Sequence, residues 1–263
     1  YYRPKTSESK ATFDQVYQYM PAPGQFINEL KTGGFDSTHT TQEAANLYAK
    51  ERLDKGIWVS LGGFGGYIVV GFDHSIDNTG GYDFAVIGNS FNNSSEPGIV
   101  WVMQDENGDG LPNDTWYELR GSETGKETTI QNYAVTYYRP ETVQSPVKWT
   151  DSEGASGEID YLKAYHNQDY YYPLWVESDT YTLVGTRLEP KNYDQSGKGT
   201  YWVLPTFDWG YVDNFSSIDR PTEKSVDNRF RISDAMDQNG NAVSLAYIDF
   251  VKVDFLTTTQ QER

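Results

Sequence analysis

The chain has 263 residues, with 38 Asp plus Glu against 21 Lys plus Arg and a net charge of −17, a balance that repels nucleic acid and anionic lipid and argues against both as partners. Aromatic residues make up 15% of the chain, with 21 Tyr and 7 Trp; a disordered acidic chain is poor in these residues, so a folded domain with a real core is expected. There is no cysteine, which removes disulfides, thiolate metal sites and thiol nucleophiles, and no run approaches the roughly 18 apolar residues needed to cross a bilayer.

Residues 1–24 are polar and carry Pro4, Pro21 and Pro23. They read as an arm leading into one domain over 25–257, followed by a short tail at 258–263. A single domain suits this length, since all-β domains of roughly 200 to 250 residues often stay undivided. The first residue is Tyr1 rather than Met, and any export signal or lipid anchor is expected upstream of it. One helix is predicted after the arm. Thr40 and Glu43 have capping-box spacing, Ala44, Ala45, Leu47, Tyr48, Ala49 and Leu53 form an apolar stripe, and Gly56 is placed to end it.

Beyond Gly56 the pattern changes to strands, predicted at 57–61, 67–73, 82–87, 98–104, 115–120, 133–138, 181–187, 200–204, 229–232 and 247–255, with turn residues between them. Many short strands without intervening helices predict an all-β antiparallel fold, a sandwich or jelly roll with one N-terminal helix, rather than a parallel α/β sheet. No internal repeat points to a propeller or solenoid. Gly62, Gly63, Gly65 and Gly66 read as a tight connection between strands, with Phe64 and Tyr67 packing beside it. A phosphate loop is not indicated, because G-x-x-x-x-G-K-[ST] is missing and no helical pattern opens afterwards.

Asp105-Glu-Asn-Gly-Asp-Gly-Leu-Pro-Asn-Asp114 presents oxygen ligands at alternate positions and then a glycine that permits a sharp turn. A hard cation such as calcium takes roughly six to eight oxygens, and D-x-N-x-D-G aims Asp105, Asn107 and Asp109 at one point while the Leu111 carbonyl adds another. The twelfth position is Trp116, where an EF-hand needs a bidentate Glu. The expected site is therefore not an EF-hand, and Asp114 or Glu118 would close the shell of a structural calcium that ties the flanking strands together.

An aromatic-rich insertion with its own small hairpins is expected over about 139–200, long for a passive connection, and long ordered loops often bind ligands. Trp149, Tyr161, Tyr165, His166, Tyr170, Tyr171, Tyr172 and Trp175 are its candidate ligand-binding residues. Their rings suit the C–H faces of sugars or a flat apolar ligand, and Asn167, Gln168 and Asp169 between them can bind hydroxyls. Trp209 reads as a buried structural residue. Asp237-Gln-Asn-Gly-Asn241 reads as a turn on its Asn-Gly signal.

Signals for catalysis are weak. The three histidines, His39, His74 and His166, are far apart in sequence and do not suggest a zinc site. A G-x-S-x-G elbow is lacking. Asp151, Glu153, Glu158 and Asp160 can be imagined as a glycosidase pair, but a chain with 38 acids always offers pairs, and they read better as solvated hairpin charges.

Three segments, Val59-Ser-Leu-Gly-Gly-Phe-Gly-Gly-Tyr67 running into Ile68-Val-Val-Gly-Phe-Asp73, Tyr82-Asp-Phe-Ala-Val-Ile-Gly-Asn-Ser-Phe91, and Glu96-Pro-Gly-Ile-Val-Trp-Val-Met103, resemble bacterial cell-surface proteins. Phe230-Arg-Ile-Ser-Asp-Ala-Met-Asp-Gln-Asn-Gly-Asn241 and Ile248-Asp-Phe-Val-Lys-Val253 fit the same group, which includes Bacteroidetes surface lipoproteins, sometimes with PKD-type modules. The resemblance covers about 55–255 and implies a galactose-binding-like (discoidin-like) jelly roll, exported to the outer-membrane surface. Proteins of this kind commonly work beside TonB-dependent transporters, and some relatives are associated with corrinoid (vitamin B12) uptake. The implied function is non-enzymatic capture of a carbohydrate or corrinoid. The alternatives are a glycan-cleaving hydrolase with a carboxylate pair and a protein-binding adhesion module.

Overall fold

In the computed structural model residues 1–255 are described, so the expected tail at 258–263 lies outside them. In chain order the elements are β1 (Gln15–Met20), α1 (Gln42–Asp54), β2 (Tyr67–Asp77), β3 (Phe84–Ile87), β4 (Gly98–Met103), β5 (Tyr117–Leu119) and β6 (Ile130–Tyr138). There follow β7 (Val147–Asp151), β8 (Ser156–Ile159), β9 (Thr180–Arg187), β10 (Tyr193–Asp194), β11 (Trp202–Val203), β12 (Asp227–Phe230), a 3₁₀ turn (Ile232–Asp234), β13 (Ala235–Met236) and β14 (Tyr247–Phe255). Among the described residues the fold is all-β with one α-helix.

The helix begins one residue later than its spacing suggests: Thr41, not Thr40, is the N-cap, its side chain accepting from Ala44 N. Glu43 then stands in the first turn, where a carboxylate favours the helix dipole. Ala45, Tyr48 and Ala49 form the buried face, but Leu47 is 57% exposed and lies off the stripe. Gly56 ends the helix at φ 68, its N–H bonded to Leu53 O at 2.9 Å. The strand expected at 57–61 is irregular. Its backbone is taken by local partners instead of a ladder: Ile57 N bonds Arg52 O, Tyr19 Oη bonds Ser60 O, and Ala22 N bonds Leu61 O.

The chain divides into two compact units. The first comprises Tyr1–Tyr17, Val69–Thr129 and Glu189–Val253 and carries most of a six-stranded sheet in the order β1-β2-β14-β4-β5-β13, with β3 and β12 forming a separate antiparallel pair. Strand β1 falls inside the segment read as an arm. In β4, Ile99, Val100, Val102 and Met103 are all at or below 1% exposure, the continuous burial of a central strand. Asp249 of β14 is fully buried, and its charge is compensated: Oδ1 accepts from Ser75 Oγ at 2.6 Å and Arg3 Nη2 at 3.1 Å, and Oδ2 from Asp105 N at 2.8 Å.

The second unit comprises Gln18–Ile68, Ile130–Leu188 and the residues from Asp254 onward. Its antiparallel sheet runs β8-β7-β6-β9, so much of the expected insertion is regular sheet. Alternation decides the faces: Tyr133, Val135 and Tyr137 of β6 are buried, while Thr136 meets Thr182 across the exposed side. Phe64 of the glycine-rich segment is buried against Tyr133, with ring centroids 5.0 Å apart. Gly62 is required there, because φ is 68 and a Cβ would fall 1.9 Å from Ala22 O.

Candidate functional site

The aromatic cluster predicted around 149–175 is largely the core of the second unit. Tyr171 and Tyr172 are fully buried and Trp175 is 5% exposed. Trp175 stacks on Phe35 at 5.8 Å and lies 5.9 Å from Tyr19, while Tyr172 meets Tyr181 edge-on at 5.1 Å. Their hydroxyls are spent on the backbone: Tyr171 on His166 O and Tyr172 on Ser178 O. Burial pushes the Tyr172 phenol up to about 12. These three side chains offer no face to a ligand.

The other five do not assemble into one surface. Tyr161 packs on Tyr171 at 5.1 Å and donates to Gln168 O, and His166 packs edge-on to Phe26 at 4.9 Å. Trp149 sits half-buried on β7, opposite Tyr137 and Gly157, and Tyr170 is also half-buried. Only Tyr165, 78% exposed, stands clear. His166 Nδ1 is buried without a hydrogen-bond partner, 3.9 Å from Glu29 Oε1. Burial works to raise the Glu29 carboxyl, but hydrogen bonds from Gly33 and Thr32 outweigh it, and the group lies below its ordinary range.

The acidic loop folds around its own side chains. Asp105, 1% exposed, accepts from Gly108 N at 2.7 Å and Gly110 N at 3.1 Å. Asn107 Oδ1 accepts from Asp109 N and Asp109 Oδ1 from Leu111 N. Asp109 Oδ2 accepts from both the Asn107 and Asn113 amides, and Asp114 Oδ2 caps Glu106 N at 2.8 Å. The Leu111 carbonyl accepts from Asn113 N. The side-chain oxygens of Asp105, Asn107, Asp109 and Asp114 thus accept from N–H groups of the loop itself. Among the described residues no group of three His, Cys, Asp or Glu lies close enough to hold a metal by itself, so a cation here would also depend on amide and carbonyl oxygens. Glu118 is buried in β5 opposite Trp101 and Met236, and its charge acts on the Tyr211 phenol. Asp114 lies within the loop itself, its Oδ2 accepting from Glu106 N.

A cavity of about 280 Å³ opens in the first unit, lined by Tyr82, Arg120, Trp209, Ile218, Arg229 and Arg231, with Leu119, Gly210, Asp219, Phe230 and Asp234 completing it. Three of the chain's 21 cations thus line one cavity with three aromatic rings, Tyr82, Trp209 and Phe230. The Arg229 and Arg231 guanidinium carbons lie 4.2 and 4.5 Å from the Tyr82 ring centroid, a cation–π arrangement that orients both side chains.

The scaffold around this cavity is specific. Pairing of Phe230 with Phe84 and of Arg229 with Ala85 fixes one wall. Arg120 follows β5, held by its N–H to Asp234 O at 3.0 Å. Gly210 sits at φ 89 so closely against Arg120-Gly121 that a Cβ would fall 2.5 Å from Gly121 Cα, which lets Trp209 reach the cavity. Buried Asp219 anchors this turn, accepting from Gly210 N at 2.8 Å and Asn228 Nδ2 at 2.9 Å. Trp209, read from sequence as buried, is half-buried and lines the cavity. The available signal for this site was Arg229-Phe-Arg231, two cations two residues apart beside a turn in a chain short of cations.

Of the four carboxylates imagined as a hydrolase pair, Asp151 and Glu153 hold local structure. Asp151 accepts from Tyr133 Oη, Glu153 N and Ala155 N, and Glu153 pairs with Arg187 at 3.0 Å. An acidic pair not expected from sequence lies at Glu96 and Asp213. Burial, and then the Asp213 charge, push the Glu96 carboxyl up to about 7, while Asp213 sits at φ 50 and accepts from Asn89 N at 2.7 Å. Glu96 N also bonds Asp213 O; the two belong to neighbouring backbone and do not face each other across a cleft. His39 accepts from Asp36 N, and His74 Nδ1 lies 2.7 Å from Asp73 Oδ1, so the three histidines remain apart.

Comparison with the models of known protein families gives no match, and comparison with curated proteins gives none either.

Proposed function

We propose that this chain is a non-enzymatic ligand-capturing protein of the bacterial cell surface, and that its site is the Tyr82–Trp209–arginine cavity and not the aromatic segment over 149–175. The observation that carries this reading is the convergence of Arg120, Arg229 and Arg231 on Trp209 and Tyr82. Half-exposed rings flanked by fixed hydrogen-bond donors suit a sugar, whose apolar ring face stacks while its oxygens accept. The cavity, about 280 Å³, has room for one or two sugar rings but not for enclosing a corrin, so a carbohydrate is favoured over a corrinoid. The galactose-binding-like jelly roll, the exported location and a TonB-dependent transporter as partner belong to the same reading. They rest on the resemblance of the segments at 59–73, 82–91 and 96–103.

A structural calcium in the 105–114 loop is part of the proposal, supported by the D-x-N-x-D-G spacing and by the side-chain-held turns at Asp105, Asn107 and Asp109. No step of ligand capture runs through it. A thermal-shift screen with neutral sugars, acidic sugars and cobalamin tests the capture reading. Saturable stabilisation by a sugar without product release is expected. Cleavage of a glycan would favour the hydrolase instead, and stabilisation by cobalamin alone would return the corrinoid.

A further inference from the structure

The donors and acceptors of the cavity do not balance. Arg120 Nη2 bonds Gly240 O at 3.2 Å, but its Nε is buried without a partner. Arg229 spends Nε on Asp219 O at 3.1 Å and Nη2 on Arg220 O at 3.4 Å. Arg231 lies over Tyr82 and, among the described residues, donates no hydrogen bond from its guanidinium. On the acceptor side, Asp219 is filled by Gly210 N and Asn228 Nδ2, and neighbouring Asp83 by Thr79 and Ile232 N. Of the two lining carboxylates only Asp234 has, among the described residues, no hydrogen bond to its side chain; burial, helped by the Asp83 charge, raises it in spite of the Arg231 and Arg120 charges. Two guanidiniums with unfilled donors therefore face one internal carboxylate through charge alone.

A neutral sugar leaves that excess donor capacity unused, since its hydroxyls also need acceptors. An oxyanion matches it, because guanidinium binds carboxylate, sulfate or phosphate through paired, charge-assisted hydrogen bonds. Taking the cavity as the capture site, we infer that its ligand is an anionic sugar: the acid group bonds Arg120 and Arg231 while the ring lies on Trp209. Asp234, whose charge is felt by both guanidiniums, opposes that acid group electrostatically.

The test is calorimetric titration of the whole chain with galactose, galacturonate, galactose 6-sulfate and galactose 6-phosphate. At least one anion should bind about tenfold or more tightly than galactose, and its affinity should fall with ionic strength. The three anions separate carboxylate, sulfate and phosphate from one another. In Arg231→Gln, an exposed position where folding is not at issue, the preference should collapse to about twofold or less. In Asp234→Asn it should grow by about threefold, because a competing negative charge is gone. A merely structural role for Asp234 does not produce tighter binding. Equal binding of galactose and all three anions, unchanged in both variants, would overturn the anion inference and leave sugar capture standing. Failure of all four to bind would overturn both.

Discussion

Asp105 is the strongest single handle on the acidic loop, and Asp105→Ala is the informative substitution. The carboxylate is 1% exposed and holds Gly108 N at 2.7 Å and Gly110 N at 3.1 Å, with both glycines in the left-handed region at φ 76 and 74. A hydrogen bond to a charged group contributes about 1.5–3 kcal/mol. Gly108 is exposed and its N–H recovers part of that from water, so the pair is worth about 2–4 kcal/mol. At about 2–4 °C per kcal/mol for chains of this order, Tm should fall by roughly 5–15 °C, read by circular dichroism in EDTA. The same measurement carries the calcium question. Wild type should gain Tm when calcium replaces EDTA, and Asp105→Ala should gain none, because the first ligand is gone. A Tm in EDTA within about 2 °C of wild type would show that Asp105 does not hold the loop. No response of wild type to calcium would remove the metal.

Two further outcomes follow from burial. Glu96 is raised in the folded state to about 7 against an unfolded value of about 4.3, so between those values the folded chain binds more protons and stability falls as pH rises. Glu96→Gln should therefore flatten the pH dependence of Tm across that window and raise Tm above it, whereas an unchanged slope would contradict the assignment. Trp175→Ala should cost about 3–5 kcal/mol by opening a cavity beneath Phe35 and Tyr19, while Trp175→Phe should cost far less, since Trp175 Nε1 has no hydrogen-bond partner to lose. Lost ligand binding with unchanged urea unfolding in Trp175→Ala would instead restore this residue to a binding role.

Legibility in the sequence followed how locally each feature is determined. The longer strands β2, β4, β6, β9 and β14 carry their own hydrophobic pattern, and the helix its cap, stripe and terminal glycine. Strand β1 was hidden in a polar, proline-flanked stretch that becomes a strand by pairing with β2, far along the chain, whereas β7 and β8 form a local hairpin of the kind expected in the insertion, their bounds blurred by polar residues and glycine. The aromatic density at 161–175 was plain, but not its direction. Tyr and Trp serve cores and binding faces equally well, and burial at Tyr171, Tyr172 and Trp175 depends on Tyr19 and Phe35, far away in sequence, and on the direction in which β9 presents Tyr181. The arginine cavity was harder still, since it draws on residues 82, 120, 209, 229 and 231, which no local spacing unites.

The most direct measurement compares Trp209→Ala with Tyr165→Ala, one ring in the cavity and one fully exposed in the other unit, by titrating each with the sugar that binds wild type most tightly. Base-free stacking of this kind is worth about 1–3 kcal/mol per ring, so Trp209→Ala should weaken binding at least about fivefold while Tyr165→Ala binds as wild type. Weakened binding in Tyr165→Ala with Trp209→Ala unaffected would contradict the account and return recognition to the aromatic segment.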